Sequence, residues 1–184
     1  MWKLIAFIII SGLLAYISRA SLCQPGAHGF YRFFAWECIL LLFLLNVNSW
    51  FQNPFTWYQL ISWTLLFVSF VPLIFGVLSL RKRGQPSTKR PGNSSLLAFE
   101  KTTRLVTTGI YASIRHPLYC SLLLLTWGIF FKAPANLTGV LITLVATVFL
   151  FATAVADEQE CIQFFGNEYQ AYMQKTKRFI PFLF

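Results

Sequence analysis

Gly109-Ile110-Tyr111, then Arg115-His116-Pro117-Leu118-Tyr119, running into Leu122-Leu123-Leu124-Leu125, is the stretch on which the reading of this chain turns. It sets an Arg, a His and two Tyr at the mouth of an apolar run, in a chain that is 57% hydrophobic and only 11% charged. Pro117 suits the first position of a helix, where its missing N–H leaves nothing unpaired. His116 then falls in the cap region and Arg115 stands just outside. A helix start offers free N–H groups and the positive end of the dipole. Arg115 adds a planar fork matched to a carboxylate or phosphate. Tyr111, Arg115 and Tyr119 are spaced by four, so they share a face if the stretch is helical.

A second polar knot follows the next apolar run: Asp157-Glu158, then Phe165-Gly166 and Tyr169. If the two runs form a hairpin, both knots lie on one side of the membrane and make one site. Two carboxylates at the C-terminal end of a span oppose the helix dipole, and residues that break a local rule are candidates for function. Adjacent side chains diverge by about 100° on a helix. Glu158 is assigned to the pocket because it aligns with Ile162 and Phe165, with Asp157 as the alternative.

Outward from these knots, five apolar runs approach the roughly 20 residues of one membrane crossing: Trp2–Ser18, Phe33–Val47, Trp57–Leu80, Pro117–Phe131 and Leu137–Ala156. The fourth is short and is expected to sit shallow or packed against protein. The first also fits the pattern of a secretory leader; it is taken here as a span. The chain has 15 Lys and Arg. With five spans, all of them except Lys3 and Lys132 fall on one side, which by the positive-inside rule is the cytosol. The expected class is therefore an all-α, polytopic integral membrane protein with about five transmembrane helices. Its N-terminus would be outside, and its site and C-terminus on the cytosolic face of a cell membrane. Three parts are expected: a three-helix region at 1–80, a basic linker at 81–102, and a core at 103–184 formed by a helical hairpin and C-terminal helices.

Aromatic clusters at Trp50–Tyr58 and Phe30–Trp36 have the composition of interfacial belts. Gly84, Pro86, Pro91 and Gly92 mark Arg81–Ser95 as a loop, with Leu96–Phe99 and Leu105–Val106 as apolar anchors. Gly166-Asn167 suits the end of one helix and the start of another, and the tail Phe179–Phe184 is apolar. Glu37 is the ionisable residue inside a span, with Arg32 in reach. Cys23, Cys38, Cys120 and Cys161 have no metal-ligand spacing, and no metal is expected. Nucleotide-binding G-x-G-x-x-G and P-loop patterns are absent from the sequence, as are hydrolase and zinc-protease motifs.

At these residues the chain resembles a family. Leu105-Val106-Thr107-Thr108-Gly109-Ile110-Tyr111 with Arg115-His116-Pro117-x-Tyr119 is similar to the signature of isoprenylcysteine carboxyl methyltransferases, whose wider superfamily includes phospholipid N-methyltransferases. Asp157-Glu158-x-x-x-Ile162-x-Phe164-Phe165-Gly166-x-x-Tyr169-x-x-Tyr172, ending at Ile180-Pro181, resembles the C-terminal motif of that family. The likeness covers about 103–184, and the short N-terminal region resembles compact prokaryotic members.

The resemblance implies S-adenosylmethionine as methyl donor, held without a Rossmann fold by the third loop, the start of the fourth span and the C-terminal helices. By position, donor contacts carry to Thr103, Arg104, Leu105, Val106, Tyr111, His116, Pro117, Leu118, Tyr119 and the acidic pair. Arg115, Asp157 and Glu158 are the catalytic candidates. Two departures stand out: Asp157 replaces a usual Glu, and Thr153 to Ala156 lack the basic residue that eukaryotic members carry one turn earlier. The implied reaction is methylation of the carboxylate of a prenylated cysteine or similar lipid entering from the bilayer. Methylation of an ethanolamine phospholipid, with Glu158 as base, or of a small thiol is the enzymatic alternative, and non-catalytic lipid binding the other. No nucleic acid or obligate protein partner is expected.

Overall fold

A computed structural model describes residues 1–87, 97–98 and 100–180. Its helices are α1 (Trp2–Ile17), a short α2 (Arg19–Leu22), α3 (His28–Asn46), α4 (Trp57–Arg83), α5 (Pro117–Phe130), α6 (Leu137–Phe165) and α7 (Asn167–Lys175). Among the described residues the extended pairings are two isolated bridges, Pro86 with Thr102 and Ile114 with Lys177.

Three helices are long and apolar enough to cross a membrane: α3 with the turn that follows it (His28–Ser49), α4 and α6. At 1.5 Å per residue, the 16 residues of α1 and the 14 of α5 span about 24 and 21 Å, short of a hydrocarbon core of about 30 Å. α5 makes up the difference by burial. It packs along α4 and against α6, and its Gly128 lets the Leu66 backbone approach closely. Ser62 Oγ donates to the Gly128 carbonyl at 2.7 Å, and Ser121 Oγ to that of Ser69 at 2.7 Å. Within an apolar bundle, such small and hydroxylated residues set helix contact.

α3 is longer than its apolar run suggested. It begins at His28 rather than near Phe33, because His28 and Arg32 are buried in ion pairs instead of solvated. α4 likewise runs through Arg83 before the loop starts. Arg32 does not meet Glu37: it pairs with Glu100, and Glu37 Oε1 is buried without a partner among the described residues. The core of the basic linker, including Lys89 and Arg90, lies outside the described residues, as do Leu96, Phe99 and Pro181–Phe184.

The two ends of the bundle differ in chemistry. At one end, Lys132 Nζ donates to Gln59 Oε1 at 2.9 Å and lies 3.6 Å over the Trp63 ring. At the other end, the start of α3, the end of α4, the start of α5 and the end of α6 gather the ion pairs described next.

Candidate active site

The helix at the first knot starts where the sequence placed it: His116 is the N-cap of α5 and Pro117 opens the helix. Upstream, the chain does not extend that helix. Gly109–Ala112 is a separate 3-10 turn, so Tyr111 and Arg115 meet Tyr119 through folding rather than along one helical face. The segment that follows α7 fixes this stretch. Arg115 N–H donates to the Lys177 carbonyl at 2.8 Å, His116 N–H to that of Arg178 at 3.1 Å, and Lys177 N–H back to Ser113 at 3.1 Å. Tyr172 Oη closes the other side by donating to the Tyr111 carbonyl at 2.7 Å.

The second knot arrives on α6. Helical hydrogen bonding continues past the apolar stretch to Phe165, and Gly166, at φ +60°, turns the chain into α7. A residue with a Cβ adopts that conformation only under strain. Asp157 and Glu158 thereby reach the start of α5.

Glu158, 3% exposed, is the hub. Its Oε1 accepts from Arg115 Nε at 2.9 Å and Arg178 Nε at 3.1 Å, and lies 3.2 Å from His116 Nε2; Oε2 accepts from Arg178 Nη2 at 2.7 Å. Asp157 Oδ2 stands 3.4 Å from His116 Nδ1. Both imidazole nitrogens therefore face carboxylates. Burial opposes charging of His116, yet the two carboxylates outweigh it and hold its pKa above the usual value. Arg115 also donates to the carbonyls of Met173 and Thr176, and the Arg178 guanidinium is raised further by Glu158.

Beside this cluster opens a cleft. Of the candidate site residues, Leu105, Val106, Tyr111, Arg115, His116, Pro117, Leu118, Tyr119 and Asp157 line it. Three assignments fall elsewhere. Thr103 and Arg104 are exposed and held through their backbone N–H groups on the Gly84 carbonyl. Glu158 turns away from the cleft into its guanidinium cluster, and Asp157 takes the wall; the stripe with Ile162 and Phe165 did not account for the cations on the other side. The cleft also takes in Leu80, Glu100, Thr102, Glu160, Cys161 and Tyr169. Glu160 was legible in principle, being three residues from Asp157 and so on its face of α6.

α3 supports the cleft from behind. Glu160 receives His28 N–H at 2.8 Å, and its Oε2 lies 2.8 Å from His28 Nδ1. Glu100 receives Arg32 Nη1 at 2.8 and 2.9 Å and the Leu97 N–H at 2.8 Å. The donor set fits a zwitterionic nucleoside-type molecule. Asp157, Glu100 and Glu160 offer acceptors for an ammonium or ribose hydroxyls, Arg115 is a guanidinium for a carboxylate, and Leu80, Val106 and three Tyr make an apolar wall.

Comparison with known proteins bears on the same region. A family model described as phospholipid methyltransferase matches residues 93–168. Methanethiol S-methyltransferase 1 of Bradyrhizobium diazoefficiens is 32% identical over 79 residues, covering 42% of this chain and 26% of that protein. A probable protein-S-isoprenylcysteine O-methyltransferase of Oryza sativa subsp. indica is 31% identical over 120 residues, 64% of this chain and 63% of its own. The protein-S-isoprenylcysteine O-methyltransferase of Schizosaccharomyces pombe is 32% identical over 79 residues, 43% of this chain and 34% of its own. The chain thus spans from about a quarter to under two thirds of the length of these relatives. The first motif block and the acidic pair both lie inside residues 93–168, the stretch similar to phospholipid methyltransferases, and the chain is similar to proteins named as isoprenylcysteine O-methyltransferases.

Proposed function

We propose that this protein is an S-adenosylmethionine-dependent membrane methyltransferase, with its site on the cytosolic face, that esterifies the carboxylate of a prenylated cysteine or a similar lipidic acceptor. One observation carries the reading: two polar blocks some 40 residues apart close on each other at the bundle end, with Arg115 and His116 within 2.9–3.4 Å of Glu158 and Asp157. Bound there, S-adenosylmethionine would supply an electrophilic sulfonium methyl. Asp157 and Arg115 are the groups placed to hold its charged end, and Glu158 the residue that positions Arg115 and His116. The free volume of about 90 Å³ is smaller than the roughly 300–1,000 Å³ of small-molecule sites. Binding a whole donor therefore requires the cleft to widen.

The locked state of Glu158 bears on the acceptor. Its oxygens are occupied by Arg115, Arg178 and His116, so it is not placed to take a proton from a protonated amine. An acceptor that needs no base suits the site better. A carboxylate is ionised near neutral pH, and the chain's task reduces to alignment within walls of buried Tyr111, Tyr119 and Tyr169. A small thiol is the second reading, favoured by the similarity to the methanethiol enzyme.

The test is transfer of radiolabelled methyl by purified protein to a farnesylcysteine analogue, a small thiol and phosphatidylethanolamine in parallel. Base-labile ester on the farnesyl compound is the expected result. Thioether alone would replace the acceptor with a thiol, label on the amine lipid alone would overturn the carboxylate and thiol readings, and no transfer to any would overturn the catalytic one.

A further inference from the structure

The first turns of α3 are polar and buried at once. His28 is fully buried and Arg32 is 4% exposed, although both stand at the end of a helix of membrane-crossing length. Each holds a carboxylate: His28 that of Glu160, Arg32 that of Glu100. Both carboxylates line the cleft. Burying ion pairs costs desolvation that their attraction barely offsets, so stability is a weak reason for two of them. Ionisable groups at a membrane helix are instead first candidates for function.

The Glu160 contact is the more unusual of the two. α3 has Ala27 at its N-cap, which supplies no side-chain cap. The His28 N–H goes instead to Glu160 Oε1 at 2.8 Å, and Oε2 lies 2.8 Å from Nδ1 of the same His28. One residue therefore engages both oxygens and fixes the plane of the carboxylate. A carboxylate has about four lone-pair sites, so one held in this way is able to receive ligand hydroxyls as well. His28 Nε2 is buried with no partner among the described residues. That is a cost a purely structural joint between two helices has no reason to carry.

The place of Glu160 on α6 says what it faces. It follows Asp157 by three residues, on the same side of the helix and about 4.5 Å further along. Asp157 stands 3.4 Å from His116 Nδ1, and Arg115 lines the same cleft. Under the function proposed above, that corner holds the charged amino-acid end of the donor. Glu160 is then set back by one turn, where the neighbouring sugar carries two adjacent hydroxyls. A carboxylate of fixed plane matches such a diol by accepting one O–H at each oxygen.

We propose that Glu160 receives the ribose diol of the methyl donor, and that His28 is the residue that positions it. This rests on the methyltransferase reading and adds a positioning residue that lies outside residues 93–168, the stretch similar to phospholipid methyltransferases.

The test is calorimetric binding, without turnover, of S-adenosylhomocysteine and of its analogue lacking both ribose hydroxyls to the full chain in nanodiscs. Wild type is expected to prefer the diol about tenfold or more, the scale of hydrogen bonds to a charged group. Glu160→Gln, which keeps the shape, is expected to bring the two affinities within about threefold of each other. His28→Leu, which removes the ring nitrogens at similar bulk, is expected to do the same. His28→Asn, whose amide donates from near the Nδ1 position, is expected to keep most of the preference, and it decides the role of His28 should His28→Leu not fold. A general loss of packing lowers both affinities together and leaves their ratio, so the ratio separates positioning from a structural joint. No diol preference in wild type, or an unchanged ratio in Glu160→Gln, overturns the Glu160 assignment. A ratio lost in Glu160→Gln but kept in His28→Leu, or lost in His28→Asn, overturns the role of His28. Wild type that binds neither ligand strikes the methyltransferase reading itself, whereas equal binding of both leaves that reading standing and sinks this assignment alone.

Discussion

Asp157 and Glu158 are neighbours with opposite surroundings, and their substitutions should separate accordingly. Glu158→Gln leaves Arg115, Arg178 and a charged His116 around a neutral amide. Breaking a buried ion pair from one side costs about 3–5 kcal/mol, so the variant should unfold at markedly lower temperature in detergent. Asp157→Asn removes one partner of His116 at a side chain that is 21% exposed. It should fold, with a stability loss of about 1 kcal/mol, yet bind S-adenosylmethionine at least about tenfold more weakly, the scale of one lost charge-assisted hydrogen bond of about 1.5–3 kcal/mol. Calorimetry of both variants checks the pair of outcomes. His116 adds a pH dependence with a definite sign. Its folded pKa lies above the unfolded value of about 6.5, so its contribution is full below about pH 6.5 and fades as pH rises through the folded value. The stability advantage of wild type over His116→Gln should accordingly shrink between pH 6 and 9. At this scale the sequence was informative about which residue types meet, because both motif blocks are compact. It could not say which carboxylate faces the cleft, since that depends on Arg178, twenty residues on, folding back beside α6.

Gly84 shows how an element's end shapes the cleft. It caps α4, and its carbonyl takes the N–H groups of Thr103 and Arg104. A Cβ there would run into Thr102 Cγ2 and stand 2.6 Å from the Leu80 carbonyl, and both Leu80 and Thr102 line the cleft. Gly84→Ala should therefore lower stability by about 1–3 kcal/mol, the usual cost of overpacking, and weaken donor binding without touching a charged group; paired thermal unfolding and donor titration would show both. The start of α5 at Pro117 and the break at Gly166 were legible because Pro and Gly act locally. The role of α3 was not. His28 and Glu160 are 132 residues apart, and Arg32 and Glu100 are 68 apart. Hydropathy along α3 records only that its N-terminal turns are polar, which is equally the mark of a solvated span end.

For the molecule as a whole, the distribution of charge sets an orientation that can be measured. Cys23 lies exposed between α2 and α3, next to Arg19 and at the same end as the ion pairs of Arg32, Arg115 and Arg178. Lys132 with Gln59, and Lys3, which reaches the Leu45 carbonyl at 3.4 Å, mark the other end. The five apolar runs correspond to five apolar helices of which three have full crossing length. Hydropathy finds such runs but not their depth, because α5 is shortened by Pro117 at one end and the Lys132–Pro134 turn at the other. Were α1 to cross as well, Lys3 would lie on the opposite face from Arg19. By the positive-inside rule the Cys23 end is expected to face the cytosol. A protein keeping Cys23 alone, with Cys38, Cys120 and Cys161 replaced by Ala, should therefore react with a membrane-impermeant maleimide in inverted vesicles and stay unlabelled in intact right-side-out ones until they are opened. Labelling of the intact vesicles would put the cleft on the outer face, where S-adenosylmethionine is not supplied, and would count against the methyltransferase reading as well as the orientation.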